Sequence, residues 1–345
     1  MPSIYASIPL THRAPIYSKF INEPVVVQQK LNKEFRFASI QQSNEQTQAR
    51  QPKTNLFLSH ENARFQYAQP ETQTRFPIKT ETHSVGPYKA HIASAQGRRP
   101  SMEDEHIAQM LFLSDRPVPL FAVFDGHGGK QASKFLKEKL PAYLTHYLNR
   151  FGLTDTGIWN ALKHALIELD YDFTAPQSGS TAVISLIIDG HIWTANIGDS
   201  RAILSTPDKA IQLSEDAKPS DPRYLRSIEK RGGTLFNRYV YGTNRRCGIS
   251  IGRVFGDHNV ASPAKTSVLP HAPKITKHPV LPDSTLILMC DGVTDVALTD
   301  QISEFTQKKL TPSQILAKAL IAGTTDNVTL LSAQLSAAPN AAPAA

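Results

Sequence analysis

Four separated patches of the chain carry carboxylates in a pattern that could hold metal ions. They are Arg99-Pro100-Ser101-Met102-Glu103-Asp104, Val123-Phe124-Asp125-Gly126-His127-Gly128-Gly129, Asp291-Gly292-Val293-Thr294-Asp295 and Thr325-Asp326-Asn327-Val328. Several adjoin apolar runs, at Leu120–Phe124, Leu286–Cys290 and Val328–Leu331. A strand that ends in a carboxylate lets a rigid sheet fix the ligands of a hard, oxygen-seeking cation. One Asp-Gly after a strand is ordinarily a turn. Four such patches in this order read as one site, and no cluster of His and Cys in the sequence competes for Zn²⁺.

Such patches need a framework. Glu105–Leu113 and Pro119–Phe124 read as strands feeding Asp125. Gln131–Leu148 spaces Ala132, Leu136, Leu140, Tyr143, Leu144 and Tyr147 at helical intervals, interrupted by Pro141, and Thr156–Leu169 repeats the pattern. Strands are predicted at Ser180–Ile188, His191–Ile197 and Ala202–Ser205, with Asp189-Gly190 as a hairpin turn. Further strands fall at Lys274–His278, Thr285–Cys290 and Asn327–Gln334, with helices at Thr299–Leu310 and Thr311–Ala322 between the last two. Hairpin-joined strands and paired helices predict an α+β fold with antiparallel sheets.

A chain of 345 residues, 40% hydrophobic and 19% charged, has the balance of a soluble globular protein of one or two domains. No apolar run approaches the roughly 18 to 20 residues needed to span a bilayer. The N-terminus has no signal-peptide pattern, which argues only against the general secretory route. Two distant cysteines, Cys247 and Cys290, suit a reducing, cytoplasmic compartment, and Cys290 reads as a buried strand residue. The net charge of +7 divides as +4 over residues 1–85 and +3 over the rest, with no basic stripe interleaved with aromatics. Nucleic-acid binding is not expected. Residues 1–85 hold ten glutamines between Gln28 and Gln73 and little periodic apolar pattern, and read as a polar extension. Residues 336–345 read as a flexible tail.

Over about residues 90–335 the chain resembles the metal-dependent serine/threonine protein phosphatases of type 2C. The resemblance rests on Gly97–Asp104 (GRRPSMED), Phe124–Gly129 (FDGHGG), Ser178–Ala182 (SGSTA), Asn196–Ala202 (NIGDSRA), Gly252–Asp257 (GRVFGD), Cys290–Asp295 (CDGVTD) and Thr324–Thr329 (TTDNVT). It implies an α+β fold in which two antiparallel sheets stack face to face and are flanked by helices, an αββα sandwich. A metal cluster would lie in a cleft at one end. Residues 86–335 would form the catalytic domain, with a flap-like region at about 213–250.

Residue by residue, the resemblance makes Asp125 the carboxylate bridging two Mn²⁺ or Mg²⁺ ions, with the Gly126 carbonyl as another ligand. Asp291 and Asp326 complete the pair of sites, and Glu103 serves either as a direct ligand or through bound waters. Asp104, Asp199 and Asp295 match positions tied to a weaker third ion or to ligand waters. Arg99 matches the group that grips phosphate. The implied reaction hydrolyses phosphoserine and phosphothreonine in protein substrates by attack of a hydroxide held between the two ions, and the protein is expected to be a monomer.

Elementary chemistry agrees with these roles. A phosphate dianion is repelled by bare carboxylates, so such a cluster makes sense when divalent cations invert the local charge. Two ions about 3.5–4 Å apart acidify a shared water and hold phosphoryl oxygens in line. Arg99 offers a planar bidentate donor that lysine would not. A serine or threonine alkoxide leaves badly, and His127, two residues after Asp125, is the natural general acid. The sequence departs from the family pattern at Ala217, where histidine is frequent, and at Gly252, where serine is common. The stretch FNRYVYGTNRRCG is longer and more basic than the usual hairpin, and Arg238, Arg245 and Arg246 suit either a solvated surface or an acidic substrate. Two rival readings stay open: a non-catalytic binding module on the same fold, and a metallo-phosphoesterase acting on small molecules.

Overall fold

The structure, a computed structural model, describes residues 60–68, 74–242, 248–260 and 267–335. Helix α1 (His60–Tyr67) is followed by the hairpins β1 (Lys79–Val85) with β2 (Tyr88–Ala95) and β3 (Glu105–Phe112) with β4 (Pro117–Phe124). A two-residue strand, β5 (Gly126–His127), leads into the long helices α2 (Gln131–Phe151) and α3 (Asp155–Asp172). Then come β6 (Gly179–Ser180), β7 (Ala182–Ile188), β8 (His191–Ile197), β9 (Arg201–Ser205) and β10 (Ala210–Gln212). Helix α4 (Pro222–Lys230) and the short strands β11 (Thr234–Phe236), β12 (Tyr239–Tyr241) and β13 (Gly248–Ile249) make a small lobe, and β14 (Phe255–Gly256) returns to the body. The chain closes with β15 (Lys274–Pro279), β16 (Ser284–Met289), α5 (Asp291–Thr294), α6 (Thr299–Gln307), α7 (Pro312–Ala322) and β17 (Val328–Leu335).

Among the described residues the strands form two main antiparallel sheets, in the orders β1-β2-β17-β16-β9-β10 and β15-β8-β7-β4-β3. Strand β4 shows how they stack. Its residues Val118–Phe124 are all buried, so the strand reads as an apolar run rather than an alternation. Phe121 and Val123 join Tyr88, Ile92, Leu288 and Leu331 in a core between the sheets. Leu120, Ala122 and Phe124 point the other way, against Leu136 and Leu140 of α2 and Leu162 of α3. Ile302, Ile315 and Leu316 of α6 and α7 cover the outer face of the six-stranded sheet. The layers run helix, sheet, sheet, helix, as the family resemblance implied. No helix among the described residues is long and apolar enough to cross a membrane.

Local chemistry sets the boundaries. Asp189 and Gly190 both take positive φ, 48° and 68°, the mirror-image turn that matches the twist of a hairpin. Helix α7 begins on a capping box, with Thr311 and Gln314 each bonding the other's backbone N–H, and stops at Gly323 at φ 106°. Helix α2 runs through Pro141, where the sequence pattern placed an interruption. Leu136, Leu140, Leu144 and Leu148 are buried on both sides of it. At about 1.5–3 kcal/mol for each such side chain, their packing outweighs a proline cost of about 3 kcal/mol.

Two elements fall inside residues 1–85, the stretch read from sequence as an extension. Phe65 of α1 is fully buried, with its ring 5.6 Å from that of Phe305, and β1 pairs with β2 over seven residue positions. The sheet therefore starts by Lys79, ahead of the expected boundary. Residues 1–59 of the extension, the tail 336–345, Cys247, and Arg245 and Arg246 of the flap-like region lie outside the described residues.

Candidate active site

The predicted carboxylates arrive from the ends of both sheets. Asp125 follows β4 and Asp104 precedes β3, both in the five-stranded sheet. Asp291 follows β16 and Asp326 precedes β17, both in the six-stranded sheet. Asp199 lies between β8 and β9, where the chain crosses from one sheet to the other. The Asp125 carboxyl contacts that of Asp291, and ligand atoms of Asp104, Asp125 and Cys290 lie within 4.8 Å of one another.

Crowding acid groups out of water makes their charged forms costly. Burial pushes the Asp125 carboxyl well above its usual range, helped by the charges of Asp104, Asp326 and Asp199. Asp291 is driven well up by burial and then by Asp125, Asp199, Asp295 and Asp326. Asp104 is pushed up to about 7, by burial first and then by Asp291 and Asp326, although the Thr329 hydroxyl donates to its Oδ2 at 2.7 Å. Burial also raises Asp295 against the pull of Lys218. Two buried oxygens, Asp104 Oδ1 and Asp199 Oδ1, have no hydrogen-bond partner. An all-oxygen donor set with unpartnered buried atoms and excess negative charge fits hard divalent cations. No cofactor chemistry beyond that is implied by the donors.

Glycines let neighbouring segments at the end of each sheet approach closely here. A Cβ on Gly126 would sit 2.4 Å from the Glu103 carbonyl, and one on Gly292 would sit 2.0 Å from that of Asn327. Neither glycine needs a positive φ. The Asp-Gly pairs are there for close approach of backbones, not as turns.

The remaining predicted residues have specific partners. Arg99, half exposed, donates from Nη2 to Asp326 Oδ2. Glu103 Oε2 accepts from the Gly129 N–H at 3.2 Å, and its Oε1 from the Ser101 hydroxyl at 2.7 Å. Asp199 accepts from the Lys218 ammonium at 2.6 Å, yet burial still holds its carboxyl above the usual range. His127 Nε2 lies 2.5 Å from Asp257 Oδ2. Burial works against the imidazolium of His127, but the Asp257 bond and charge outweigh it and raise the pKa. Cys290 is fully buried, and its sulfur accepts from the Thr329 N–H at 3.1 Å, as expected of a structural residue.

Three residues here escaped the sequence reading as individuals. Asp257 closes the GRVFGD motif and orients His127 from 130 positions away. Asn327 accepts the Glu103 N–H at 2.9 Å and donates to the Gln96 and Ser101 carbonyls, both at 2.9 Å, so it ties the Arg99 loop to β17. Lys218 balances Asp199. Their motifs were visible, but the long-range pairings that give them roles were not.

Residues 88–328 match the model of the family described as protein phosphatase 2C. The chain belongs to that family. It is an enzyme of the metal-dependent serine/threonine phosphatase class. A probable protein phosphatase 2C from Oryza sativa subsp. japonica, member 13, described as mitochondrial, is 33% identical over 261 residues. That match covers 72% of this chain and 69% of the relative. Protein phosphatase 2C homolog 2 of Schizosaccharomyces pombe is 32% identical, over 65% of this chain and 63% of its own length. The crystal structure of a serine-threonine phosphatase 2C from Toxoplasma gondii superposes with a TM-score of 0.62 at 21% identity, covering 75% of this chain and 99% of that one. That likeness speaks to the fold.

In this phosphatase the two departures from the family pattern touch each other. The Gly252 N–H donates to the Ala217 carbonyl at 2.5 Å, and a Cβ on Gly252 would meet Tyr224 Cβ at 3.0 Å and that carbonyl at 3.1 Å. A serine at 252 would crowd this lobe.

Behind the His127–Asp257 pair lies Asp170 of α3, which accepts from the Gly256 N–H at 2.7 Å and faces His258 and His271, each at 3.3 Å. Burial opposes its ionisation, but these bonds lower its pKa to about 2, while the Asp170 bond raises that of His258. A depressed carboxyl stabilises the fold above its unfolded pKa of about 3.9, and that contribution is lost as pH falls through about 2. A raised histidine stabilises below its unfolded pKa of about 6.5 and loses the contribution as pH rises through its folded value. The cluster is therefore strongest between about pH 4 and 6. Thermal melts should show the advantage of wild type over Asp170→Asn largest in that window, worth about 2 kcal/mol, and shrinking on either side. An advantage that does not vary with pH would refute it.

Proposed function

We propose that this phosphatase hydrolyses phosphoserine and phosphothreonine in protein substrates with Mn²⁺ or Mg²⁺, held by Asp125, the Gly126 carbonyl, Asp291 and Asp326. Glu103, Asp104, Asp199 and Asp295 would complete the shell and order water around a third ion. The observation that carries this reading is the buried meeting of carboxylates from both sheets, mutually raised in pKa and with two unpartnered oxygens. Bound there, the ions would acidify a water enough to supply a nucleophile near neutral pH and would offset phosphate charge.

The side chains around the cluster support the rest of the reading. Arg99, half exposed and bonded to Asp326, would turn its guanidinium fork onto phosphate oxygens. His127, whose pKa Asp257 raises against the effect of burial, would protonate the serine or threonine oxygen as it leaves. The test is hydrolysis of a phosphothreonine peptide and of a nucleotide, each with Mn²⁺ and with EDTA. Peptide turnover that stops in EDTA and returns with fresh Mn²⁺ is expected. A folded, metal-loaded protein that leaves phosphopeptides intact, or that prefers the nucleotide, overturns it.

A further inference from the structure

At one edge of the sandwich the row of side chains between the sheets changes character. Val85 of β1 is buried in the core between the sheets, and Ala108 and Met110 of β3 pack against that core. Side chains two apart on a strand share a face, so the face of Val85 also carries His83 and Glu81, and the face of Ala108 carries His106. These three converge. His83 Nε2 lies 3.0 Å from Glu81 Oε2, and His106 Nε2 lies 3.4 Å from the same oxygen. Their ligand atoms all fall within 4.8 Å of one another. They line a groove of about 480 Å³ together with Glu105, Lys137 and Glu138. The nearby Lys137 ammonium is engaged by Glu105 at 2.6 Å.

We infer that Glu81, His83 and His106 form a second metal site, for Zn²⁺ or an ion of similar ligand preference, joining the outer strands of the two sheets. Two imidazoles and one carboxylate are a zinc donor set with a fourth position left to water, and a poor one for Mg²⁺. Tetrahedral ligands at about 2.0–2.1 Å from an ion lie roughly 3.4 Å from one another. Glu81 Oε2 lies at 3.0 and 3.4 Å from the two imidazole nitrogens, within a few tenths of this, and the two nitrogens lie within 4.8 Å of each other. His106 is 11% exposed and held by the sheet, whereas His83 at 41% and Glu81 at 49% can close on the ion from the groove. The other histidine–aspartate group is different: Asp170 Oδ1 also accepts the Gly256 N–H, and His271 Nδ1 is engaged by the Val254 carbonyl at 2.9 Å. The sequence hid the site because β1 and β3 bring together residues 25 positions apart. Since His106 follows Asp104 by two residues, an ion here would also brace the segment that carries Asp104 into the catalytic cluster.

The test is calorimetric titration of Zn²⁺ into the full chain in saturating Mg²⁺, which fills the oxygen-rich cluster. One zinc equivalent is expected in wild type, retained in Asp291→Asn and lost in the double variant His83→Gln/His106→Gln. No uptake by wild type, retention in the double variant, or loss in Asp291→Asn alone overturns the site. If the double variant fails to fold, Co²⁺ loading of wild type decides: the intense visible bands of a tetrahedral ion support the site, and weak octahedral bands or none overturn it.

Discussion

Asp125→Asn should abolish metal-dependent turnover while making the metal-free protein harder to melt. Both effects come from one carboxylate. On the proposed reading it would be a central ligand of the ions, whose charge stabilisation is worth several kcal/mol, so its loss should cost at least about a thousandfold in kcat. Without ions its ionisation is costly, opposed by burial and by the charges of Asp104, Asp326 and Asp199. A neutral amide of the same shape removes that repulsion and can still bond to Asp291. Each kcal/mol relieved is worth roughly 2–4 °C in a domain of this size. Phosphopeptide kinetics at saturating Mn²⁺ and calorimetry in EDTA read the two arms separately. Turnover near wild type would remove Asp125 from the machinery, and a lower melting temperature in EDTA would show that the cluster is not mutually repulsive.

His127→Ala should lower kcat on a phosphothreonine peptide by about 10²–10⁴-fold, the span of general acid catalysis. On para-nitrophenyl phosphate, whose leaving group needs little protonation, the loss should be much smaller. Asp257→Asn is the subtler variant. It keeps the imidazole but removes the charge that raises its pKa. A general acid works while protonated, so the rate falls as pH rises through its pKa, and in Asp257→Asn that fall should come at lower pH. A kcat loss of about 10–100-fold accompanies it if Asp257 orients the ring as an outer partner does. Equal losses on both substrates for His127→Ala, or an unmoved alkaline limb for Asp257→Asn, would rule out the proton-transfer role.

The chemistry of this chain was more legible than its edges. Strands β4, β7, β8 and β16 announce themselves as apolar runs because both faces are covered. Asp125, Asp291 and Asp326 announce themselves because they end or begin such runs. Strand β1 does not: in KTETHSV only Val85 is buried, since it lies at the rim of its sheet. Helix α4 hid for a similar reason, with two buried side chains, Tyr224 and Ile228, in nine residues. Pairings across the fold were beyond reach from the chain alone. Nothing local in Asp257, Asn327 or Lys218 says which partner each will meet, because sheet topology decides it.

The place where Asp199 crosses between sheets has a consequence for how the enzyme is held together. Asp125 and Asp104 hang from one layer, and Asp291 and Asp326 from the other. The ion pocket is thus a hasp between two plates. On the proposed reading, its charges would repel across the two plates when empty and would latch them when ions are bound. The affinity for the ions and the alignment of the two layers are then a single linked quantity, and whatever slides one layer against the other also sets how tightly the catalytic ions are kept.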